Sequence, residues 1–144
     1  MRYNTKMIPT YWHKQGTEPL FEQLEWNKPE RRDQARRLLI VGGNIHSLTA
    51  PAKSYDETKR CGIGTVKVAL PQKTKRLLKE QPLDEFLFLP STSSGEFSQD
   101  SYTELVEYGQ WADTILLPGD VGRNSQTTIV FEQLLKSLNN QIIG

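Results

Sequence analysis

The most constraining feature of the chain is residues 38–71, LLIVGGNIHSLTAPAKSYDETKRCGIGTVKVALP, where an apolar run, a glycine break, a polar stretch, a second glycine break and another apolar run follow in turn. Residues 38–41 are all apolar, the pattern of a strand covered on both faces. Gly42-Gly43-Asn44 ends it. Thr49 stands where it can cap a helix opening near Ala50-Pro51, and proline is tolerated there because first-turn N–H groups have no partner within the helix. Ala52, Tyr55 and Cys61 are expected to face a sheet, and Lys53, Glu57 and Lys59 to face water. Gly62-Ile63-Gly64 stops the helix, and 65–70 returns as a second strand. The stretch therefore predicts a right-handed βαβ unit.

The alternation continues beyond it. Residues 72–80 predict a short charged helix with Leu77 and Leu78 turned inward, and 86–89 a third strand. A polar loop, PSTSSGEFSQ at 90–99, comes next. Ser101 and Glu104 have capping-box spacing at the head of a helix that carries Leu105 and Val106. Residues 114–117 predict a fourth strand, followed by Pro118-Gly119-Asp120-Val121-Gly122. A helix from about Ser125 would present Val130, Phe131, Leu134, Leu135 and Leu138 on one face. Ile142-Ile143 looks like the opening of a fifth strand. Strands alternating with helices imply a three-layer α/β/α domain around four or five mainly parallel strands. The unusual loops 42–49, 90–99 and 118–124 all follow strands, so they gather at the carboxyl edge, where open α/β sheets bind ligands.

A chain of 144 residues fits one such domain. Two segments are expected: an N-terminal arm, 1–37, and the α/β domain, 38–144. The arm is not periodic. Its Tyr3, Tyr11, Trp12, Phe21 and Trp26, spread among Pro9, Pro19 and Pro29, predict a segment laid across a domain rather than a free tail. Lys28, Arg31, Arg32, Arg36 and Arg37 read as a solvated lead-in to the first strand, with contact to an anionic ligand as the competing reading. A net charge of +1 calls for neither a nucleic-acid nor an anionic-membrane partner. The single cysteine, Cys61, rules out an intrachain disulfide and points to a reducing compartment. No apolar run approaches membrane-spanning length and the N-terminus carries no signal-peptide hydrophobic region, so a cytoplasmic location is expected.

Gly42 and Gly43 permit close approach of a ligand to the backbone, and the following helix offers N–H groups to an anion. A turn that needs glycine for its own shape is the competing reading. Neither a GxGxxG fingerprint nor a GxxxxGK[ST] loop is present. Gly119 and Gly122 carry the same two readings, and a second glycine loop on one edge favours a ligand. Asp120 suits a cation, a ribose hydroxyl or a turn. His46 would contact phosphate or act as an acid or base, unless it is simply a loop residue. His13 belongs to the arm. Two histidines and one cysteine without close-set spacing make no structural zinc site. The run Ser91-Thr92-Ser93-Ser94 would bind phosphate or satisfy its own loop. No nucleophile elbow supports covalent catalysis, so neither a catalytic residue nor a metal ligand is assigned.

VGGNIHSLTAPAKSYDETKRCGIGTVKVALP resembles the region of ADP- or ATP-dependent NAD(P)H-hydrate dehydratases that usually reads IGGS…GAP…(A)LRxGAGLVTVAVP. LLPGDVGRNSQTTIVFEQLL is similar to that family's IGPGLGR segment and the helix behind it. The match covers roughly residues 36–138, in order, and leaves 1–35 unexplained. The resemblance implies the front half of a ribokinase-like fold; a plain doubly wound domain of flavodoxin type is the alternative. It implies substrate contacts at Gly42, Gly43, Asn44, Ala50, Pro51, Gly119, Asp120 and Gly122. It also implies NAD(P)H hydrate as substrate, with ADP or ATP and Mg2+ as cofactor. In that lyase chemistry a nucleotide phosphorylates the hydrate's hydroxyl, and loss of phosphate restores the nicotinamide ring.

The departures from the family pattern matter. Asn44 replaces the usual serine, Thr49 the glycine of GAP, and Ile63-Gly64-Thr65 the AGL triplet. Asp120 falls where the family has glycine, and Gly119 where it has proline, so a carboxylate would meet a phosphate-rich substrate. The family's aspartate-rich turn, its histidine-containing loop and its GSGD motif, with the catalytic aspartate, have no counterpart here. The expectation is a metabolite-repair protein that is a fragment or inactive alone, either the first half of a longer chain or a reduced relative. The alternative is a non-catalytic nucleotide- or partner-binding module. A half-fold would expose a sheet edge, so self-association or a missing C-terminal half is expected.

Overall fold

The computed structural model describes residues 16–17, 35–78, 83–138 and 142–144. Of the unit Met1–Glu30 this includes only exposed Gly16 and Thr17, so the predicted aromatic arm lies outside the described residues. The second unit, Arg31–Gly144, carries the sheet. Its strands are β1 (Arg37–Val41), β2 (Thr65–Pro71), β3 (Phe86–Leu89), β4 (Thr114–Leu116) and β5 (Ile142–Ile143). Its helices are α1 (Thr49–Arg60), α2 (Tyr102–Trp111) and α3 (Ser125–Ser137).

The strands form one sheet in the order β3-β2-β1-β4-β5, and every pairing is parallel. The expected α/β class therefore holds, with a wholly parallel sheet. β1 lies at its centre, with Leu39 in register with Lys67 on one side and Ile115 on the other. Because side chains alternate along a strand, β1 feeds two cores. Leu38 and Ile40 join Val66, Val68 and Leu70, with Leu48 and Tyr55 of the α1 region packed on them. Leu39 and Val41 join Ala69, Leu89, Ile115 and the α2 and α3 residues Leu105, Val130 and Leu134. Helical layers thus cover both faces. Arg37 secures the start of β1: its guanidinium pairs with Asp113 at 3.2 Å and lies over the Trp111 ring. That guanidinium and the Arg37 N–H hold the Asp113 carboxyl below its ordinary range.

Several expected details are corrected. In α1 the buried residues are Pro51 and Thr58, with Tyr55 half-buried, whereas Ala52 and Cys61 are exposed. Steps of four and three residues put 51, 55 and 58 on one side, and Cys61 lies beyond the last turn. The segment after β2 is not an α-helix but a 3-10 turn, Gln72–Leu77. Its buried member is Thr74, whose hydroxyl donates to the Pro71 carbonyl at 2.7 Å, and Leu77 is 51% exposed while Leu78 packs inward. The Ser101–Glu104 capping box does not form. Ser101 already has helical dihedrals, since α2 is entered through a 3-10 turn, Gln99–Ser101, and its hydroxyl donates to the Ser98 carbonyl. On α3, Thr127, Val130 and Leu134 are buried, but Leu135, a hundred degrees further round the helix than Leu134, is exposed. No helix among the described residues is long and apolar enough to cross a membrane.

This packing gives a direct test. Leu39 is fully buried at the centre of the sheet, whereas Leu135 is 43% exposed. Leu39→Ala is expected to cost about 2–5 kcal/mol in urea unfolding. Leu135→Ala should change stability by less than about 0.5 kcal/mol.

Candidate functional site

β1 and β4 are neighbours, but their chains leave the carboxyl edge toward opposite faces, α1 on one and α3 on the other. That divergence is the topological switch point of a doubly wound sheet. Both glycine loops meet there. The Gly43 N–H donates to the Gly119 carbonyl at 3.3 Å, and a Cβ on Gly42 would stand 2.6 Å from that same oxygen. Gly43, at φ +83°, presses on the first turn of α1: a Cβ there would reach Leu48 at 2.7 Å and Pro51 at 3.3 Å. Gly42 thus meets the facing loop and Gly43 the entry to its own helix, contacts that fit the competing reading of the sequence.

Asp120 occupies the centre of the arrangement. It is the one non-glycine residue with positive φ (58°) among those described. One carboxylate oxygen accepts the Ala50 N–H at 2.9 Å and the Ser47 hydroxyl at 2.8 Å. Ala50 is the second residue of α1, so its N–H has no partner within the helix. The expected cap, Thr49, does not act as one: Leu48 precedes the helix and supplies no side-chain bond. Asp120 takes over that role from across the site, where its negative charge also suits the positive end of the helix dipole. The Ala50 N–H, then the Ser47 hydroxyl, hold its carboxyl below the usual range.

Asn44 completes the joint. Its amide nitrogen donates to the Asp120 carbonyl at 2.6 Å, while its side-chain oxygen accepts the N–H groups of His46 and Ser47. Asn44 is buried, and His46 is exposed. The structure thus brings together Gly42, Gly43, Asn44, Ala50, Pro51, Gly119 and Asp120, largely through contacts with one another.

Gly122 stands against a residue that sequence reasoning missed. The Glu96 carboxylate accepts the N–H groups of Arg123 and Asn124 at 3.0 and 2.9 Å, one on each oxygen. A Cβ on Gly122, at φ +89°, would run into that carboxylate. Asn124 in turn caps α3 by accepting the Gln126 N–H. Nothing local marks Glu96: it is a single acid in a polar loop, and only the fold delivers it to a turn 27 residues away. Of the hydroxyl run in that loop, Thr92 accepts the Glu96 N–H and shares a bond with Ser94, which also accepts from the Asn124 side chain.

Two groups of hydrogen-bond donors at this edge each already hold a carboxylate of the chain: the Ala50 N–H with the Ser47 hydroxyl holds Asp120, and the Arg123 and Asn124 N–H groups hold Glu96. The residues present therefore do not fit a nucleotide polyphosphate at these two loops, because like charges would meet at short range. Among the described residues no group of three or more His, Cys, Asp or Glu side chains is placed to hold a metal ion.

A parallel sheet with helices on both faces and glycine loops at its switch point defines a doubly wound α/β domain. A solved ribokinase-like superfamily protein from Enterococcus faecalis superposes with a TM-score of 0.63 at 18% identity, over 81% of this chain and 39% of that one. The sequence is 28% identical over 103 residues to the bifunctional NAD(P)H-hydrate repair enzyme Nnr of Methanothermobacter thermautotrophicus, over 72% of this chain and 20% of that protein. The chain thus spans about a fifth of the length of the curated relative it matches. No protein-family model matches it.

The capping role of Asp120 can be tested. A carboxylate whose pKa is lowered by folding stabilises the native state above its unfolded pKa, and that stability is lost as pH falls through the folded value. Asp120→Asn should therefore lower the melting temperature by a few degrees at neutral pH. The difference should shrink and vanish as pH drops below the ordinary value of 3.8. Thermal melts of both proteins between neutral pH and about pH 2 check this.

Proposed function

We propose that the chain is an NAD(P)H-hydrate dehydratase-like protein of nicotinamide nucleotide repair, working in the cytoplasm, that has no turnover by itself. The observation that carries this is the state of the loop edge, which keeps the glycine geometry of a ligand-binding switch point but fills its N–H cradles with Asp120 and Glu96. A useful general base needs a pKa near the working pH. The Asp120 carboxyl is shifted the other way, and its bonded oxygen is committed to Ala50 and Ser47. In this reading Gly42, Gly43, Asn44, Ala50, Pro51, Gly119, Asp120 and Gly122 form the wall beside a nucleotide-type substrate. Phosphoryl transfer and lyase chemistry with ADP or ATP and Mg2+ would require residues that these loops do not supply. The purified chain, given hydrated NADH or NADPH with ADP or ATP and Mg2+, is expected to clear none of it above the uncatalysed rate. Nucleotide-dependent clearance sinks the proposal.

The retained glycine edge, with its second loop changed at Asp120, is the ground for a second reading, a non-catalytic nucleotide- or partner-binding module. Calorimetry against NADP, ADP and ATP separates the two: binding without turnover favours the module, and silence toward all three favours a wall that needs further residues.

The proposal extends to assembly. β5 has two residues, pairs with β4 alone among the described strands, and exposes 62% of Ile142. An uncovered edge of this kind invites pairing between chains. Light scattering over a concentration series should show a mass that rises above the monomer; a constant monomer mass counts against self-association.

A further inference from the structure

Beside the glycine loops, on the same carboxyl edge, lies an open concavity of about 590 Å³ lined by Ile45, Gln72, Lys73, Lys75, Arg76 and Ser93. None of the described residues that line it is a carboxylate. Three of its six lining side chains are cations, and all three come from the single 3-10 turn Gln72–Leu77. In a 3-10 turn, residues three apart eclipse, so Lys73 and Arg76 stand on one ridge. Thr74 is fully buried and its hydroxyl locks the turn to Pro71, which leaves its neighbours turned outward.

The cations are also held in place. The Lys73 ammonium donates to the Ser93 carbonyl at 2.6 Å, bracing the turn against the loop after β3, and Lys75 lies over the Phe88 ring at 5.6 Å. Among the described residues no carboxylate pairs with Lys73, Lys75 or Arg76. Like charges gathered on one short turn repel, and a bound polyanion relieves that repulsion. The volume falls within the range of small-molecule sites.

We propose that this basic concavity binds a phosphate-bearing small molecule of nucleotide size, with Lys73, Lys75 and Arg76 engaging its phosphates and Ile45 providing an apolar wall. The proposal goes beyond the repair reading, because it requires no turnover and none of the glycine-loop N–H groups. Arg76 is the residue suited to two-pronged contact with a phosphate, while the lysines act as point charges.

The test is calorimetric titration of the full chain with ADP and with inorganic pyrophosphate at low ionic strength. Binding of either probe is expected, weakening as salt is added. Combined reversal, Lys75→Glu with Arg76→Glu, should weaken it by about tenfold or more. Lys53→Glu, a single charge reversal at an exposed position on α1, should leave it unaltered. If the double variant fails to fold by circular dichroism, Lys75→Gln and Arg76→Gln replace it, and each alone should weaken binding. No binding of either probe to the wild-type chain overturns the proposal. So does affinity that survives the reversal, or that falls equally with Lys53→Glu. Hydrate clearance is read in a separate assay, so this site and the repair reading can fail independently.

Discussion

The bond between the Asp120 carboxylate and the first turn of α1 holds the site together. Without it the amino end of α1 would have no side-chain cap, since Leu48 supplies none. With it, the loop after β4 is tied to the loop after β1, and Asn44 closes the joint from the other side by binding the Asp120 carbonyl. The close contact of Gly42 with Gly119 goes with this arrangement, because a Cβ on Gly42 is intolerable where the two loops lie against each other. One side chain therefore ties together the two loops of the switch point.

The functional meaning follows from charge. A helix N-terminus and a turn of free N–H groups are where α/β proteins hold phosphates. Here both are neutralised from within, by Asp120 and Glu96. An incoming phosphate at either place would have to displace a carboxylate that is already well bonded. Among the described residues, the 3-10 turn after β2 gathers three cations at this edge, Lys73, Lys75 and Arg76, with no carboxylate partner. The edge is thus divided into a rigid, internally satisfied part and an open basic part.

Much of the fold was legible in the sequence because it rests on local signals. The runs 38–41 and 86–89 are apolar on both faces and 65–70 is apolar from Val68 on, which fits strands between two layers, and the observed strands lie within a residue or so of these runs. Even Ile142-Ile143 was readable from its composition. The errors came where a tertiary partner replaced a local one. Thr49 lost its capping role to Asp120, and Ser101 lost its own to a preceding 3-10 turn. Leu77 and Leu135 are apolar residues at the margins of their helical faces, where spacing alone cannot decide burial. The site was harder to read. The glycine positions were found, but their packing purpose and the part played by Glu96 depend on contacts between loops far apart in the chain.

The Asp120–Ala50 bond spans 70 residues, and this separation bears on how the molecule assembles. A helix capped by its own neighbours can begin to form before the rest of the chain is in place. α1 cannot complete its first turn that way. Its cap arrives only after β2, β3, α2 and β4 have been laid down and the loop behind β4 has closed over β1. The entropy of closing so long a loop must be met before the bond repays any of it. Formation of an early helix is therefore coupled to closure of the sheet, so that the βαβ unit at the front of the domain has little reason to persist as an independent intermediate.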